Sequence, residues 1–128
     1  MHLTDLQKFL KRNQAEFTKP LHEYLNQILQ EKNLSKTEVI KKSLININYA
    51  YHIFLGKRKK TSRDKILALG LSMNLNLEEM QYLLRYAGCG VLYPRNTRDA
   101  IIISAVEQDL SVADTNSLLE NLGANILD

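Results

Sequence analysis

The chain has 128 residues, 45% of them hydrophobic and 24% charged, which gives room for one ordinary globular domain or two very small ones and makes disorder a poor explanation. Its Lys, Arg, Asp and Glu residues give a net charge of +3, and no apolar run is long enough to span a bilayer. One cysteine excludes an intramolecular disulfide framework, and the N-terminal sequence lacks the pattern of a signal peptide. We therefore expect a cytoplasmic protein with no membrane partner.

The first part of the chain has helical patterns throughout. Thr4 and Gln7 form a capping-box pair that predicts an N-terminal helix within residues 1–18. Pro20 can begin the next helix, in which apolar residues recur with helical spacing: Leu21, Tyr24, Leu25, Ile28 and Leu29. Only two Pro and five Gly interrupt a composition dominated by helix formers, so the sequence predicts an all-α fold.

Charge is divided unevenly along the chain. Residues 33–65 contain nine Lys or Arg and two Asp or Glu, whereas residues 66–128 contain three and eight. The middle of the chain is therefore a cationic block whose expected partner is a polyanion. The alternative is a solvated basic face that has no partner.

The stretch LSKTEVIKKSLININYAYHIFLG, residues 34–56, has the spacing of two short helices joined by a tight turn. Ser35 and Glu38 form a capping-box pair at the start of the first helix, and Asn46 can cap the second, over residues 47–55. A buried apolar set is predicted to fix the angle between the two helices: Val39, Ile40, Ile45, Ala50 and Ile53.

These residues resemble the Cro and phage-repressor type of helix-turn-helix protein, the XRE family. The resemblance covers about residues 21–88. It rests on LSKTEVI (34–40), on IN (45–46), on AYHIFLGKRK (50–59) and on residues 62–80. It implies a lambda-repressor-like domain of five helices that binds double-stranded DNA and places its third helix in the major groove.

The same resemblance implies roles for individual residues. The base-reading positions would be Ile47, Asn48, Tyr49 and His52, although His52 can equally be an exposed helix residue bonded to solvent. Lys36, at the start of the preceding helix, matches a position that usually contacts phosphate or an outer base, and Ser35 beside it is also expected to contact phosphate. The cationic segment after the second helix is expected to follow the phosphate backbone through Lys57, Arg58, Lys59, Lys60 and Arg63.

Two features depart from the family pattern. The turn position that Gly usually occupies is Leu44, where a left-handed residue with a Cβ costs about 1–2 kcal/mol. Either this strain is tolerated or the turn is built differently. In addition, the second helix is apolar and aromatic, whereas major-groove readers more commonly present Arg, Lys, Gln or Asn. Base reading would then use contact with thymine methyl groups, and Asn48 on adenine.

The second half of the chain contains an internal repeat. Residues 61–88 align without gaps on residues 96–123, and seven aligned pairs are identical: Arg63/Arg98, Asp64/Asp99, Ile66/Ile101, Leu75/Leu110, Leu83/Leu118, Leu84/Leu119 and Gly88/Gly123. Each unit is predicted to be a helical hairpin whose second helix begins at Asn76 or Ser111. Leu83 and Leu118 are predicted to occupy equivalent buried places.

These elements predict a three-part organisation: an N-terminal helix (1–18), a helix-turn-helix domain (19–88) and a C-terminal hairpin (89–128) packed on it as one globular unit. We expect a homodimer with the two reading helices about 34 Å apart. Its contact would use either the acidic half or the helix of residues 3–13.

Two classes of function remain open. The first is a sequence-specific DNA-binding protein, a bacterial-type transcriptional regulator that reads the major groove with helix 47–55. The alternative is a protein-interaction module, an antitoxin or adaptor, that binds a protein partner through the same aromatic helix.

Enzymatic activity has no support in the sequence. No nucleophile is paired with a base and no Gly-rich phosphate loop is present, so we predict no catalytic residue and no cofactor. His2, His22, His52 and Cys89 lack the spacing of metal ligands, so no metal site is predicted, and Cys89 is predicted to be a loop residue.

Overall fold

The computed structural model describes residues 19–58 and 60–128. This part of the chain is all helical and has no strand; its helices are α1 (Leu21–Glu31), α2 (Lys36–Ser43), α3 (Ile47–Phe54), α4 (Arg63–Ser72), α5 (Leu77–Tyr86), α6 (Thr97–Glu107) and α7 (Val112–Asn121). No helix in these ranges has the length and apolar character needed to cross a membrane. The predicted N-terminal helix and Lys59 lie outside the described residues.

Six of these helices begin at a polar side chain that accepts a backbone hydrogen bond. The oxygens of Ser35, Asn46, Ser62, Asn76, Asn96 and Ser111 each accept from the N–H three residues later. Such a cap satisfies one of the N–H groups that have no partner within the helix. The four caps that the sequence predicted, Ser35, Asn46, Asn76 and Ser111, are confirmed, and Asn76 forms a complete capping box with Glu79.

The predicted pair of short helices is present as α2 and α3, which are joined by residues 44–46. All five apolar residues predicted to fix their angle are buried: Val39, Ile40, Ile45, Ala50 and Ile53. Helix α2 packs against both α3 and α4, and α1 packs against α3. The two short helices are therefore held on a core that leaves one side of α3 exposed.

The repeat appears in the structure as two hairpins, α4–α5 and α6–α7. Helices α5 and α7 have the same length, and the left-handed residues Asn74 and Asp109 precede them at equivalent positions. Gly88 and Gly123 end the two units with φ of 73° and 77°. The alignment of the two units therefore extends to their turns and ends.

The two hairpins are joined by a reciprocal pair of salt bridges. Arg63 of the first hairpin binds Asp99 of the second, and Arg98 of the second binds Asp64 of the first, each with an N···O distance of 2.9 Å. The helix contacts follow the same rule, since α4 packs on α7 and α5 packs on α6. This exchange relates the hairpins by an approximate twofold axis within one chain.

The expected equivalence of Leu83 and Leu118 is wrong. Leu83 is fully buried on α5, whereas Leu118 on α7 is only partly buried. Around α5, further contacts come from α1 and the residue after it: Tyr24 contacts the rings of Tyr82 and Tyr86, and Lys32 binds Glu79 at 2.9 Å. The outer side of the first hairpin therefore receives cover that comes from α1, which is not part of the repeat.

Candidate nucleic-acid interface

The turn before α3 is built around Leu44, whose φ of 60° lies in the left-handed region. The buried Ser43 hydroxyl donates to the carbonyl of Ile40 at 2.6 Å and accepts from the N–H of Ile45 at 3.2 Å. These bonds satisfy buried backbone groups on both sides of Leu44. Of the two possibilities left open by the sequence, the strained residue is the one present, and Ser43 supports it.

One face of α3 is exposed to solvent. Ile47, Asn48 and His52 are exposed on it, and the Ile47 side chain retains 63% of its maximal accessible surface. Tyr51 and Leu55 continue the same face one and two turns later, because residues four apart lie on one side of a helix. We call these five residues the reading face. The structure thus brings together three of the four predicted base-reading residues.

Tyr49, the fourth predicted base-reading residue, has a different environment. Its ring is half-buried and lies beneath two cations, with the Arg58 guanidinium 3.8 Å and the Lys65 ammonium 5.4 Å from the ring centroid. Cations are attracted to the negative face of an aromatic ring, so Tyr49 positions positive charge beside α3. Tyr49 thus holds two cations in place through its ring.

Five cations border the reading face: Lys36, Lys57, Arg58, Lys60 and Lys65. Lys36 lies at the start of α2, with its ammonium 5.5 Å from the centroid of the Phe54 ring at the end of α3. Lys57, Arg58 and Lys60 are exposed in the segment between α3 and α4. We call this set the cationic flank. Ser35 directly precedes Lys36, and the Ser35 side-chain oxygen caps α2 by accepting from the N–H of Glu38 at 3.3 Å.

Arg63 departs from the predicted set of phosphate contacts. Its guanidinium makes two hydrogen bonds to Asp99 at 2.9 Å and donates to the carbonyls of Gly90 and Val91. The Asp99 hydrogen bond, opposed by burial, raises the pKa of Arg63 further above its ordinary value. Because four of its five N–H groups are occupied, Arg63 links the hairpins instead of facing a phosphate.

Two residues of this interface were missing from the predicted sites. Tyr51 shares the reading face, and its hydroxyl lies 3.4 Å from the Thr37 hydroxyl on α2. Its spacing of four residues from Ile47 was the signal that could have found it. Lys65 is helical and approaches Tyr49 from α4; this contact depends on how α4 packs, so sequence spacing offered no comparable signal.

Groups that could support other chemistry are sparse across residues 19–58 and 60–128. Within these ranges, no three His, Cys, Asp or Glu side chains cluster closely enough to hold a metal ion. Cys89 is a half-buried loop residue, as predicted. Burial raises the pKa of its thiol above the ordinary value, although the charge of Arg63 acts in the opposite direction. A raised pKa disfavours the reactive thiolate.

Comparison of the chain with protein-family models, with curated proteins and with solved structures gives no match.

Proposed function

We propose that this chain is a sequence-specific DNA-binding protein, of the transcriptional-regulator type, that reads the major groove with α3. The observation that carries the proposal is the exposure of Ile47, Asn48 and His52 on one face of α3, bordered by the cationic flank. A helix of this width fits the major groove, where base edges present hydrogen-bonding groups and methyl groups.

The cationic flank suits the phosphate backbone beside that groove. Lys57, Arg58 and Lys60 follow α3 directly, and Lys36 on α2 lies near that same end, beside Phe54. Phosphate contacts from such residues position a protein on DNA without reading sequence, and exposed helix side chains then read the bases. The two sets of residues therefore divide the work of binding and reading.

A protein-interaction module, such as an antitoxin or adaptor, is the second candidate. It is favoured by three large apolar side chains that are exposed at the turn and along α3: Leu44, Ile47 and Leu55. Apolar anchors of this kind occupy the centres of protein interfaces. DNA binding takes precedence because a module of this type gives the cationic flank no role.

Selection of bound duplexes from random DNA tests the proposal. We expect the wild-type chain to enrich one short motif and Asn48→Ala to lose that enrichment. Arg85→Ala is a matched control, because it removes an exposed cation of α5 that lies outside α3 and the cationic flank. Failure of the wild-type chain to enrich any motif would contradict the proposal and favour the second candidate.

A further inference from the structure

We infer that the reading face recognises two adjacent A·T base pairs, with Ile47 against a thymine methyl group and Asn48 on the neighbouring adenine. The inference rests on the proposed function and adds the base composition of its target. It follows from which side chains α3 exposes and from the positions of the nearest cations.

The most common readers of guanine, Arg and Lys, are missing from α3. The N7 and O6 acceptors of guanine are most often read by Arg or Lys, and the helix sequence INYAYHIF contains neither. The Arg58 guanidinium lies 3.8 Å from the centroid of the Tyr49 ring, and the Lys36 ammonium lies near Phe54. These contacts hold both cations against rings that lie outside the reading face.

Ile47 offers an apolar surface at the first position of α3. It is 63% exposed, so its side chain contributes little to the core and is available to a partner. In the major groove the apolar group available to it is the C5-methyl of thymine. The side chain and the methyl group would bury each other on binding, which favours thymine over a base without that group.

Asn48 supplies the complementary polar contact. It is exposed, and its amide makes no hydrogen bond to another described residue. An amide can donate to adenine N7 and accept from adenine N6–H in one bidentate contact. Because Ile47 and Asn48 are consecutive on α3, we place the thymine and the adenine on neighbouring base pairs.

The test uses the duplex recovered by selection from random DNA and changes single atoms in it. Deoxyuridine in place of each core thymidine removes only the methyl group, and 7-deazaadenine removes only the N7 acceptor. We expect one deoxyuridine position to weaken binding about fourfold. We expect a neighbouring 7-deazaadenine to weaken it about fivefold or more.

Variants connect each lost atom to one side chain. Ile47→Ala should bind the thymidine and deoxyuridine duplexes equally, and Asn48→Ala should no longer distinguish 7-deazaadenine from adenine. Leu122→Ala is the matched control, because Leu122 is also an exposed apolar residue but lies at the end of α7, outside the reading face and the cationic flank, and should leave both effects intact.

The outcomes separate the inference from the proposed function. A selected core of G·C pairs, or full affinity for every deoxyuridine duplex, overturns the inference while DNA binding stands. Discrimination that persists in Ile47→Ala and Asn48→Ala also overturns it. If the wild-type chain binds no duplex, the proposed function fails and the inference fails with it.

Discussion

Leu44 has a strained backbone and lies in the turn that joins α2 to α3. Its backbone is left-handed, its side chain is 61% exposed, and the bonds of Ser43 bracket it. Because the exposed side chain gains little from packing, no contact in the core offsets the backbone strain at this position. The apolar side chain of Leu44 therefore contributes little to the stability of the fold.

Leu44→Gly is expected to stabilise the fold by about 0.5–1 kcal/mol. Gly removes the steric penalty of the left-handed conformation, but it also loses more backbone entropy on folding, which offsets part of the gain. Urea unfolding measures the change. Asn74→Gly is the matched control: Asn74 has a similar φ of 56°, but Asn tolerates this region, so its gain should be smaller. A less stable Leu44→Gly would show that the side chain packs in the core.

At the scale of elements, the reciprocal salt bridges hold the two hairpins together. Burial acts to raise the pKa of Asp99, but the Arg63 guanidinium and the N–H of Tyr93 outweigh it and keep that pKa below the ordinary value of 3.8. For Asp64, burial is likewise outweighed by Arg98 and the N–H of Asp128. Both carboxylates therefore favour the folded state when they are ionised.

Asp99→Asn is expected to lower the free energy of unfolding at pH 7 by about 1–3 kcal/mol, because it removes a charged hydrogen-bond partner of Arg63. A carboxylate with a lowered pKa in the folded state contributes stability above its ordinary pKa and loses it as the pH falls below about 4. The wild-type chain should therefore lose more stability than Asp99→Asn between pH 7 and pH 3 in urea titrations.

The control for this experiment is Asp64→Asn in the equivalent place. The Asp64 side chain is 23% exposed and that of Asp99 is 9% exposed, so the Asp64 variant should lose less stability at pH 7. Equal pH dependence in the wild-type chain and in both variants would contradict the assigned role of the salt bridges.

Each hairpin also has its own pairing of small and large residues. Gly70 on α4 faces Met80 on α5, and a Cβ on Gly70 would lie 2.4 Å from the Met80 sulfur. The equivalent residues of the second hairpin are Ala105 and Thr115, both fully buried. At these positions the first hairpin has a glycine and a long methionine side chain. The second hairpin has an alanine and a threonine, whose side chains are closer in size.

Combining Gly70→Ala with Met80→Thr tests this complementarity. Met80→Thr alone should cost about 2–4 kcal/mol, because it leaves a cavity in the core. Adding Gly70→Ala should recover about 1 kcal/mol or more, whereas the same change in the wild-type chain meets the Met80 side chain. Unfolding free energies of the four proteins give the coupling. Additive effects would mean that the two residues are independent.

Much of each element was predictable because the signals are local. Ser35, Asn46, Asn76 and Ser111 mark helix starts through bonds that span three residues, and such spacing is visible in a sequence. The role of Arg63 was not predictable in this way. Arg63 and Asp99 stand 36 positions apart, and their contact exists only because of the way the hairpins cross.

The side chains of α3 show the same difference between local signals and tertiary contacts. The exposure of Ile47, Asn48 and His52 follows from helical periodicity, which the sequence carries. Tyr49 is half-buried because its ring packs against the core and is approached by Arg58 and by Lys65 of α4. The outward-facing side chains of α3 were predicted, and the contacts of Arg58 and Lys65 with Tyr49 were not.

At the scale of the whole molecule, the internal pairing of the hairpins restricts self-association. The surface that joins α4–α5 to α6–α7 is already occupied within one chain. We expect two copies to bind half-sites one helical turn apart, with the reading helices about 34 Å apart and the contact made by another surface. Sedimentation with a duplex carrying two selected sites measures this. A monomer on that duplex would contradict it.

The central claim is that α3 reads bases while the cationic flank binds phosphates. Fluorescence anisotropy on selected and scrambled duplexes, at several salt concentrations, tests both parts at once. Lys60→Ala should weaken both duplexes and lower the log–log salt slope by about 0.9, because one phosphate contact is lost. Asn48→Ala should weaken only the selected duplex, by about 1–3 kcal/mol, and leave the slope unchanged. Equal weakening of both duplexes by Asn48→Ala, or no effect of either variant, would contradict the claim.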